Sequence, residues 1–155
     1  MNLIMGSLRD LLSGNKKKEL IFESIKVGEV YRMKLSEEEG IKAKNKGETG
    51  RNKLFIILGV ENNTAIGFVV INSDINQGLN PVLKNLHYPL KASVYSFLDH
   101  DSYVDCGALK EITADRFAEL FSSPKGKICD SELKLIMDAV KSSPLVIPKS
   151  LKRFG

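Results

Sequence analysis

Cysteine and histidine are scarce in this sequence. Its 155 residues include two cysteines, Cys106 and Cys129, with no CxxC pair and no pair of histidines near either thiol. Such spacing argues against a zinc site, and unpaired thiols are typical of proteins in a reducing compartment. We therefore predict no metal, a cytoplasmic location, and two thiols that are buried as small apolar groups.

The motifs of the common cofactor-dependent enzymes are missing as well. The chain has no glycine-rich phosphate-binding loop, no GxSxG element and no HExxH motif. Metal, dinucleotide and nucleoside triphosphate chemistry therefore lack support, and we predict no cofactor. No apolar run is long enough to cross a bilayer, and the N-terminus lacks the basic leader and cleavage site of a signal peptide. We expect no membrane partner.

What the sequence does have is the size and composition of one globular domain. A chain with 43% hydrophobic and 27% charged residues can bury a core, so we predict a single domain over residues 1–155. The net charge of +4 permits a polyanionic partner. The positive charge is concentrated in residues 42–53, which hold Lys42, Lys44, Lys46, Arg51 and Lys53 against Glu48.

Residues 1–26 are predicted to form a helical extension and a linker. Apolar residues between Leu3 and Leu12 recur on one helical face, which is typical of a short amphipathic helix that docks on the body or on a partner. The lysine run at residues 16–18 follows in a polar break. Such runs are usually solvated linker, and contact with nucleic acid is the alternative.

Two apolar runs at residues 53–60 and 65–73 flank the Asn-Asn pair at residues 62–63. Asparagine tolerates the positive φ of a two-residue hairpin turn, so we predict a β-hairpin in which Glu61 faces Thr64. Neither strand alternates cleanly between apolar and polar residues. A strand that is apolar on both faces is covered on both, here by the core on one side and by a helix or a second subunit on the other.

The same turn fixes which residues meet at the open end of the hairpin. Asn52 then faces Ser73, and Arg51 faces Asp74. A cation and small polar groups therefore gather at the end of an apolar hairpin, which makes this end a candidate site. The local alternative is an ion pair between Arg51 and Asp74, with Ser73 capping a turn.

The flanking segments predict further strands. Residues 36–50 are charged and rich in glycine, which indicates a long loop that is either functional or simply exposed. Pro89 indicates an edge strand, and Gly107 indicates a kink between two strand segments. The strands are predicted at residues 27–35, 87–98, 102–108 and 109–112.

Helices are predicted towards the C-terminus. Thr113 has the position of an N-cap for a helix over residues 114–121, and Asp130 for one over residues 131–142 with an apolar core-facing stripe. We expect the prolines beyond, Pro148 included, to end regular structure. The predicted organisation is an extension and linker at 1–26, a barrel core with helices at 27–142 and a basic tail at 143–155.

Amides and a histidine follow the hairpin. Asn76 and Gln77 stand in a turn-rich segment, where amides bind base edges or cap turns. His87 and His100 are candidate acid–base groups, because imidazole titrates near neutrality, and a structural role is the alternative. The residues alone thus predict a small, mildly basic, β-rich barrel with helices.

The order of these segments resembles the PemK/MazF family of bacterial toxins. VGEVYRMKL, RNKLFIILGV, GFVVINS and YVDCGALKEITADRF, followed by an acidic-capped helix, follow the family's order of elements over residues 27–141. GEV matches its opening Gly-acidic-aliphatic motif. Arg51 matches the arginine of an Arg-Pro pair, with Asn52 in the place of proline. Asn72 and Ser73 stand where a Thr-Ser pair is frequent.

This resemblance implies an α+β fold that is mainly β: a small SH3-like barrel of about five to seven strands, with an N-terminal helix and one or two C-terminal helices. It also implies a homodimer that cleaves RNA without metal and is neutralised by a cognate antitoxin protein. Arg51 and Ser73 would be catalytic, because a guanidinium suits the phosphorane charge and the hydroxyl can bond near the scissile phosphate. The predicted substrate-binding residues are Lys53, Asn52, Asn72, Asn76, Gln77 and His87.

Two functions of different class follow. The first is a metal-independent endoribonuclease toxin that cleaves single-stranded RNA through attack by the 2′-hydroxyl. The alternative is a non-catalytic SH3-like module that binds RNA or protein and has lost the ribonuclease chemistry. Arg51 and the basic residues 42–53 favour the first function. Asn52 in the place of proline, and the lack of a well-placed histidine, favour the second.

Overall fold

The computed structural model of the protein describes residues 16–43, 46–62, 64–146 and 148–154. In these residues a seven-stranded antiparallel sheet curls into a half-barrel, accompanied by five helices. The prediction of a small α+β barrel of five to seven strands is therefore confirmed. A half-barrel of this kind is not specific to the PemK/MazF family.

The elements follow one another in the order that the sequence indicated, with some new boundaries. The lysine run at residues 16–18, predicted as linker, lies in a helix instead. The amphipathic helix predicted between Leu3 and Leu12 lies outside the described residues. The strands are β1 (Glu29–Ser36), β2 (Gly50–Glu61), β3 (Ala65–Asn72), β4 (His87–Leu90), β5 (Ser102–Asp105), β6 (Lys110–Thr113) and β7 (Gly126–Lys127). The helices are α1 (residues 16–24), α2 (Pro81–Asn85), α3 (Ala114–Leu120), α4 (Asp130–Ser142) and α5 (Pro148–Phe154), and a 3-10 turn (Glu37–Glu39) follows β1.

Strand β3 lies at the centre of the sheet, whose order is β4-β5-β3-β2-β1-β7, with β6 also paired to β3. One edge of β3 pairs with β2, and the other pairs with β6 and β5 in turn. Among the described strands β4 pairs with β5 alone, so the edge strand indicated by Pro89 is confirmed over fewer residues. The two segments on either side of Gly107 are β5 and β6, which bind different parts of β3.

The central hairpin has the predicted pairing at its open end and a different pairing at its turn. Leu54 faces Ile71, as the predicted register requires. Beside the turn, Glu61 faces Ala65 and not Thr64, because the loop has three residues and not two. A bulge in β2 absorbs the extra residue and restores the register. The first asparagine of the loop has a φ of 43°, the left-handed conformation that asparagine tolerates.

Both faces of this hairpin are buried, and the chain's own elements cover each of them. Phe55 and Phe68 belong to one core, which α1 and Phe117 of α3 close. Ile56 points the other way into a second core, which includes Ile136 of α4. Helices of the same chain thus bury both faces of these apolar strands, and a second subunit is not required to bury either face.

The C-terminal residues form helix α5, where the sequence predicted a basic tail. Pro148, expected to end regular structure, is the first residue of this helix, a position that tolerates the missing N–H of proline. Phe154 is buried against the central hairpin. Arg153 binds both carboxylate oxygens of Glu61, at 2.8 and 2.9 Å, and Oε2 of Glu111 at 2.6 Å. The helix is therefore docked by the ring of Phe154, the guanidinium of Arg153 and the side chain of Leu151, which packs against the second core.

Of the two helix caps predicted in this half of the chain, one is confirmed and one is wrong. The Thr113 hydroxyl accepts a hydrogen bond from the Arg116 amide at the start of α3, which confirms this N-cap. The predicted cap of α4 is wrong: Asp130 is its first helical residue, and Cys129 occupies the N-cap position without a side-chain cap. A capping box between Ser36 and the 3-10 turn begins the long charged loop.

The two thiols have opposite environments, and only one is buried as predicted. Cys106 is fully buried, and burial raises its pKa to about 12. Cys129 is exposed, and hydrogen bonds from the Tyr95 hydroxyl, the Ser131 hydroxyl and the Glu132 amide lower its pKa.

We expect iodoacetamide at mildly alkaline pH to alkylate Cys129 and to leave Cys106 unmodified in the folded protein, because alkylation requires an accessible thiolate. Intact-mass spectrometry measures this as a single adduct. Cys129→Ser is the control and should give no adduct until denaturant is added. Two adducts at equal rates in the native protein would show that the second core does not protect Cys106.

Candidate functional site

A cleft opens at the end of the central hairpin where the sequence gathers polar residues. Side chains alternate along a strand, so Arg51 and Lys53 of β2 stand on the same face as Phe55, at the rim of the first core. The end of β3, the loop after it, and strands β4, β5 and β6 supply the other walls. The charged side chains that line this cleft are Lys42, Arg51, Lys53, Asp74, Asp105 and Lys110.

The charges of the cleft favour an anionic ligand. Four cations face two carboxylates across its walls. A concave site with a majority of one charge attracts a ligand of the other sign. In the part of the chain that the structure describes, no group of three or more histidine, cysteine, aspartate or glutamate side chains is placed to hold a metal ion.

Arg51 is a half-buried cation without a partner. Within the described residues its guanidinium makes neither a hydrogen bond nor an ion pair. The ion pair with Asp74 that the hairpin register allowed is therefore not formed, although both residues line the cleft. A guanidinium has five N–H donors in a planar fork that matches two phosphate oxygens. Those of Arg51 are available to a ligand.

Lys53 lies deeper on the same strand and is held in place. Its ammonium donates a hydrogen bond to Oδ1 of Asn72 across the hairpin. Burial lowers the pKa of Lys53 to about 8, the nearby charge of Arg51 adds to this effect, and the carboxylate of Asp105 opposes it. Both a protonated and a neutral Lys53 are therefore populated near physiological pH.

Ser73 stands just beyond the last residue of β3. Its side chain is exposed, and its hydroxyl makes no hydrogen bond with the described residues. The turn-capping alternative is therefore not realised. Asn72 and Ser73 line the cleft together with Arg51, so the structure brings the predicted catalytic pair and Lys53 to one site.

His87 lies at the wall of the cleft, almost entirely buried, with 3% of its side chain exposed. Its Nδ1 is 2.9 Å from the carbonyl oxygen of Leu83, and since a carbonyl only accepts, Nδ1 carries a hydrogen. Nε2 is 3.8 Å from Oδ1 of Asp105, which also accepts the Gly107 amide at 3.0 Å. The ring thus lies beside Asp105 and lines the cleft with little of its surface exposed.

The remaining predicted binding residues are placed less favourably. Asn52 is exposed, but it points to the opposite face of β2, where it faces Lys34, and it does not line the cleft. Gln77 also lies outside the lining, bonded to the Ile75 carbonyl at 3.2 Å. Asn76 lines the cleft, but its Oδ1 accepts the Gly78 amide at 2.9 Å, which is the turn-forming alternative.

Two charged residues of the cleft were not among the sequence candidates. Asp105 ends β5 and Lys110 begins β6, and both arrive because these strands bind β3. The Lys110 ammonium also donates to the Gly40 carbonyl at 3.1 Å, which ties the long charged loop to the cleft. The signal in the sequence was the kink at Gly107. A chain that turns at this glycine brings the end of one strand, Asp105, close to the start of the next, Lys110.

Neither a scan of the sequence against protein-family models nor a search of curated proteins gives a match. In the described residues no helix has both the length and the apolar character required to cross a membrane.

Proposed function

We propose that this protein is a metal-independent endoribonuclease that cleaves single-stranded RNA through attack by the 2′-hydroxyl, acting as the toxin of a toxin–antitoxin pair. The observation that carries the proposal is the unpaired Arg51 guanidinium in a cleft where cations outnumber carboxylates. A half-buried guanidinium without a partner among the described residues is suited to a phosphate oxygen whose charge increases in the transition state.

The residues of the cleft have different roles in the reaction. Arg51 binds the non-bridging oxygens of the scissile phosphate, and it gains most when these oxygens carry the extra charge of the phosphorane. The free Ser73 hydroxyl donates to the same phosphate. Lys42 and Lys110 also line the cleft and bind the neighbouring phosphates of the strand. The attacking nucleophile is part of the substrate, so the protein needs no nucleophile of its own.

The toxin role rests on the resemblance to the PemK/MazF family, which also supports a homodimer and a cognate antitoxin as partners. An antitoxin with an extended acidic segment would match the charge of the cleft and compete with RNA for Arg51. The two covered faces of the hairpin lend no weight to dimerisation, because helices of the same chain bury them.

The second candidate function is an RNA-binding module without catalysis. Two observations favour it: Asn52 occupies the place of the family's proline and faces away from the cleft, and the ring of His87 is buried. The same cations would then serve for affinity alone. The two functions agree on the site and differ in whether the RNA is cut.

Arg51→Ala is expected to reduce the cleavage of a long unstructured RNA by about 10²–10³-fold, the effect of removing one oxyanion donor. The assay measures fragment formation by gel in the presence of EDTA. Arg32→Ala is the matched control, because Arg32 is an exposed arginine of β1 that faces Leu54 on the other side of the sheet. It should cleave as the wild type does.

Intact RNA with both wild-type protein and Arg51→Ala would refute the ribonuclease function. RNA binding that weakens steeply with salt, and that Arg51→Ala also weakens, would in that case assign the cleft to the binding module. Fragments that form only when a divalent metal is added would contradict the metal-independent mechanism.

A further inference from the structure

Cleavage of an RNA strand requires a proton for the leaving 5′-oxygen, and the cleft offers few groups that can supply it. A guanidinium such as that of Arg51 does not give up a proton in proteins. The Ser73 hydroxyl is a weaker acid still. The His87 ring is buried, donates its Nδ1 hydrogen to Leu83 and turns Nε2 towards Asp105.

Among the described residues three lysines line the cleft, and Lys53 is the one on the same strand as Arg51, two residues away from it. Its geometry fits the task. Its ammonium is half-buried in the cleft and is oriented by the amide oxygen of Asn72. Its cross-strand neighbour is Met33 of β1. Along β2 it lies between Phe55, a residue of the first core, and the unpaired Arg51. The donor is thus fixed on a strand beside the residue that binds the phosphate.

We propose that the Lys53 ammonium donates the proton to the leaving 5′-oxygen during RNA cleavage, an inference that rests on the proposed ribonuclease function. The 2′-oxygen forms a bond to phosphorus and loses its proton to water, while the bond from phosphorus to the 5′-oxygen breaks. The products are a 2′,3′-cyclic phosphate and a 5′-hydroxyl that carries the proton of Lys53 Nζ. The neutral amine then takes a proton from solvent.

Burial lowers the pKa of Lys53 to about 8, which places it near the pH at which a general acid is most effective. The acid acts only when protonated, so its contribution is complete below pH 8 and is lost as the pH rises through 8. The other charged or titratable groups that face the cleft are Lys42, Arg51, Asp74, His87, Asp105 and Lys110.

The test compares two RNAs of one sequence, one with the natural 5′-oxygen at the cleavage site and one with a 5′-bridging sulfur there. A thiolate leaves without a proton, so the sulfur substrate does not need a general acid. Lys53→Met is expected to slow cleavage of the oxygen substrate by about 10²–10⁴-fold and to leave the sulfur substrate near the wild-type rate. Lys53→Arg should bind RNA as tightly as the wild type does and show the same selective loss.

The wild-type protein gives a measurement that needs no variant. The ratio of the oxygen rate to the sulfur rate should be constant below pH 8 and fall above it, because the proton lost to water is common to both substrates. Lys127→Met, at an exposed lysine of β7, is the control and should keep both rates.

The possible failures are distinct. If Lys53→Met slows both substrates equally, or slows neither, Lys53 is not the proton donor and the inference is overturned while the ribonuclease function stands. A rate ratio that does not change with pH overturns it as well. If the wild type cleaves neither substrate, the proposed function itself fails.

Discussion

Replacing either Phe55 or Ile56 by alanine is expected to destabilise the fold by several kilocalories per mole. The two residues are neighbours on β2, both are fully buried, and they point into different cores. Truncation of a core phenylalanine to alanine lowers the free energy of unfolding by about 3–5 kcal/mol, and truncation of a core isoleucine by about 2–5 kcal/mol. The loss is this large because the removed atoms no longer contribute buried apolar surface and because a cavity remains. Urea denaturation of each variant measures the two losses.

Asn52→Ala is the control on the same strand, because Asn52 is exposed, and its effect should stay within about 0.5 kcal/mol. A loss for Ile56→Ala no larger than for Asn52→Ala would show that the second core does not bury Ile56.

This pair of variants bears on what the apolar pattern of a strand can predict. The lack of alternation in β2 and β3 correctly indicates two covered faces, because a solvent-exposed face would carry polar residues. It does not indicate what the covers are. Here they are α1 and α3 on one face and α4 on the other, and helices and a partner subunit bury the same side chains equally well.

The hairpin register shows how Arg51 and Ser73 can be placed together correctly although the length of the turn is predicted wrongly. The sequence marks the turn through two asparagines, but it does not reveal whether two or three residues form the loop. The three-residue loop that forms shifts the pairing by one at Glu61, and the bulge in β2 reverses the shift before Leu54. Arg51 and Ser73 therefore reach one cleft, as predicted.

The residues of the site that the sequence does not reveal are brought there by pairing between strands that are distant in sequence. Asp105 enters because β5 binds the end of β3, and Lys110 because β6 binds its start. The reduced pKa of Lys53 depends on burial and on the spacing from Arg51, neither of which is local in sequence. Asn72 lies on the cleft side of the sheet and Asn52 on the opposite side, as the alternation of side chains along a strand requires. Once the register is known, these two positions can be predicted from the sequence.

The C-terminal helix was unpredictable for a different reason. KSLKRF has little apolar content, and a proline begins it, so its pattern resembles a polar tail. The helix packs on the hairpin through Phe154, with further contacts from Leu151 and Arg153. Gly59 and Gly67 face each other across β2 and β3, and Phe154 occupies the space above them. Glycine in a strand often marks such a close approach, and this was the signal available in the sequence.

Gly67→Ala is accordingly expected to displace α5 and to destabilise the protein by about 3 kcal/mol, in the upper part of the range for overpacking. A Cβ at this position would overlap the ring of Phe154, and moving the ring also separates Arg153 from Glu61. Urea denaturation measures the loss. Limited proteolysis should remove the C-terminal residues of the variant under conditions that leave the wild-type protein intact.

Gly59 provides the matched comparison, because a Cβ there would overlap the backbone of Phe154 and not its ring. In a Phe154→Ala background, Gly67→Ala should therefore lose most of its penalty, whereas Gly59→Ala should keep its own. A double-mutant cycle at each glycine measures these coupling energies. Equal penalties for Gly67→Ala in both backgrounds would show that the ring does not occupy this space, and the docking of α5 would then depend on Leu151 and on the ion pairs of Arg153.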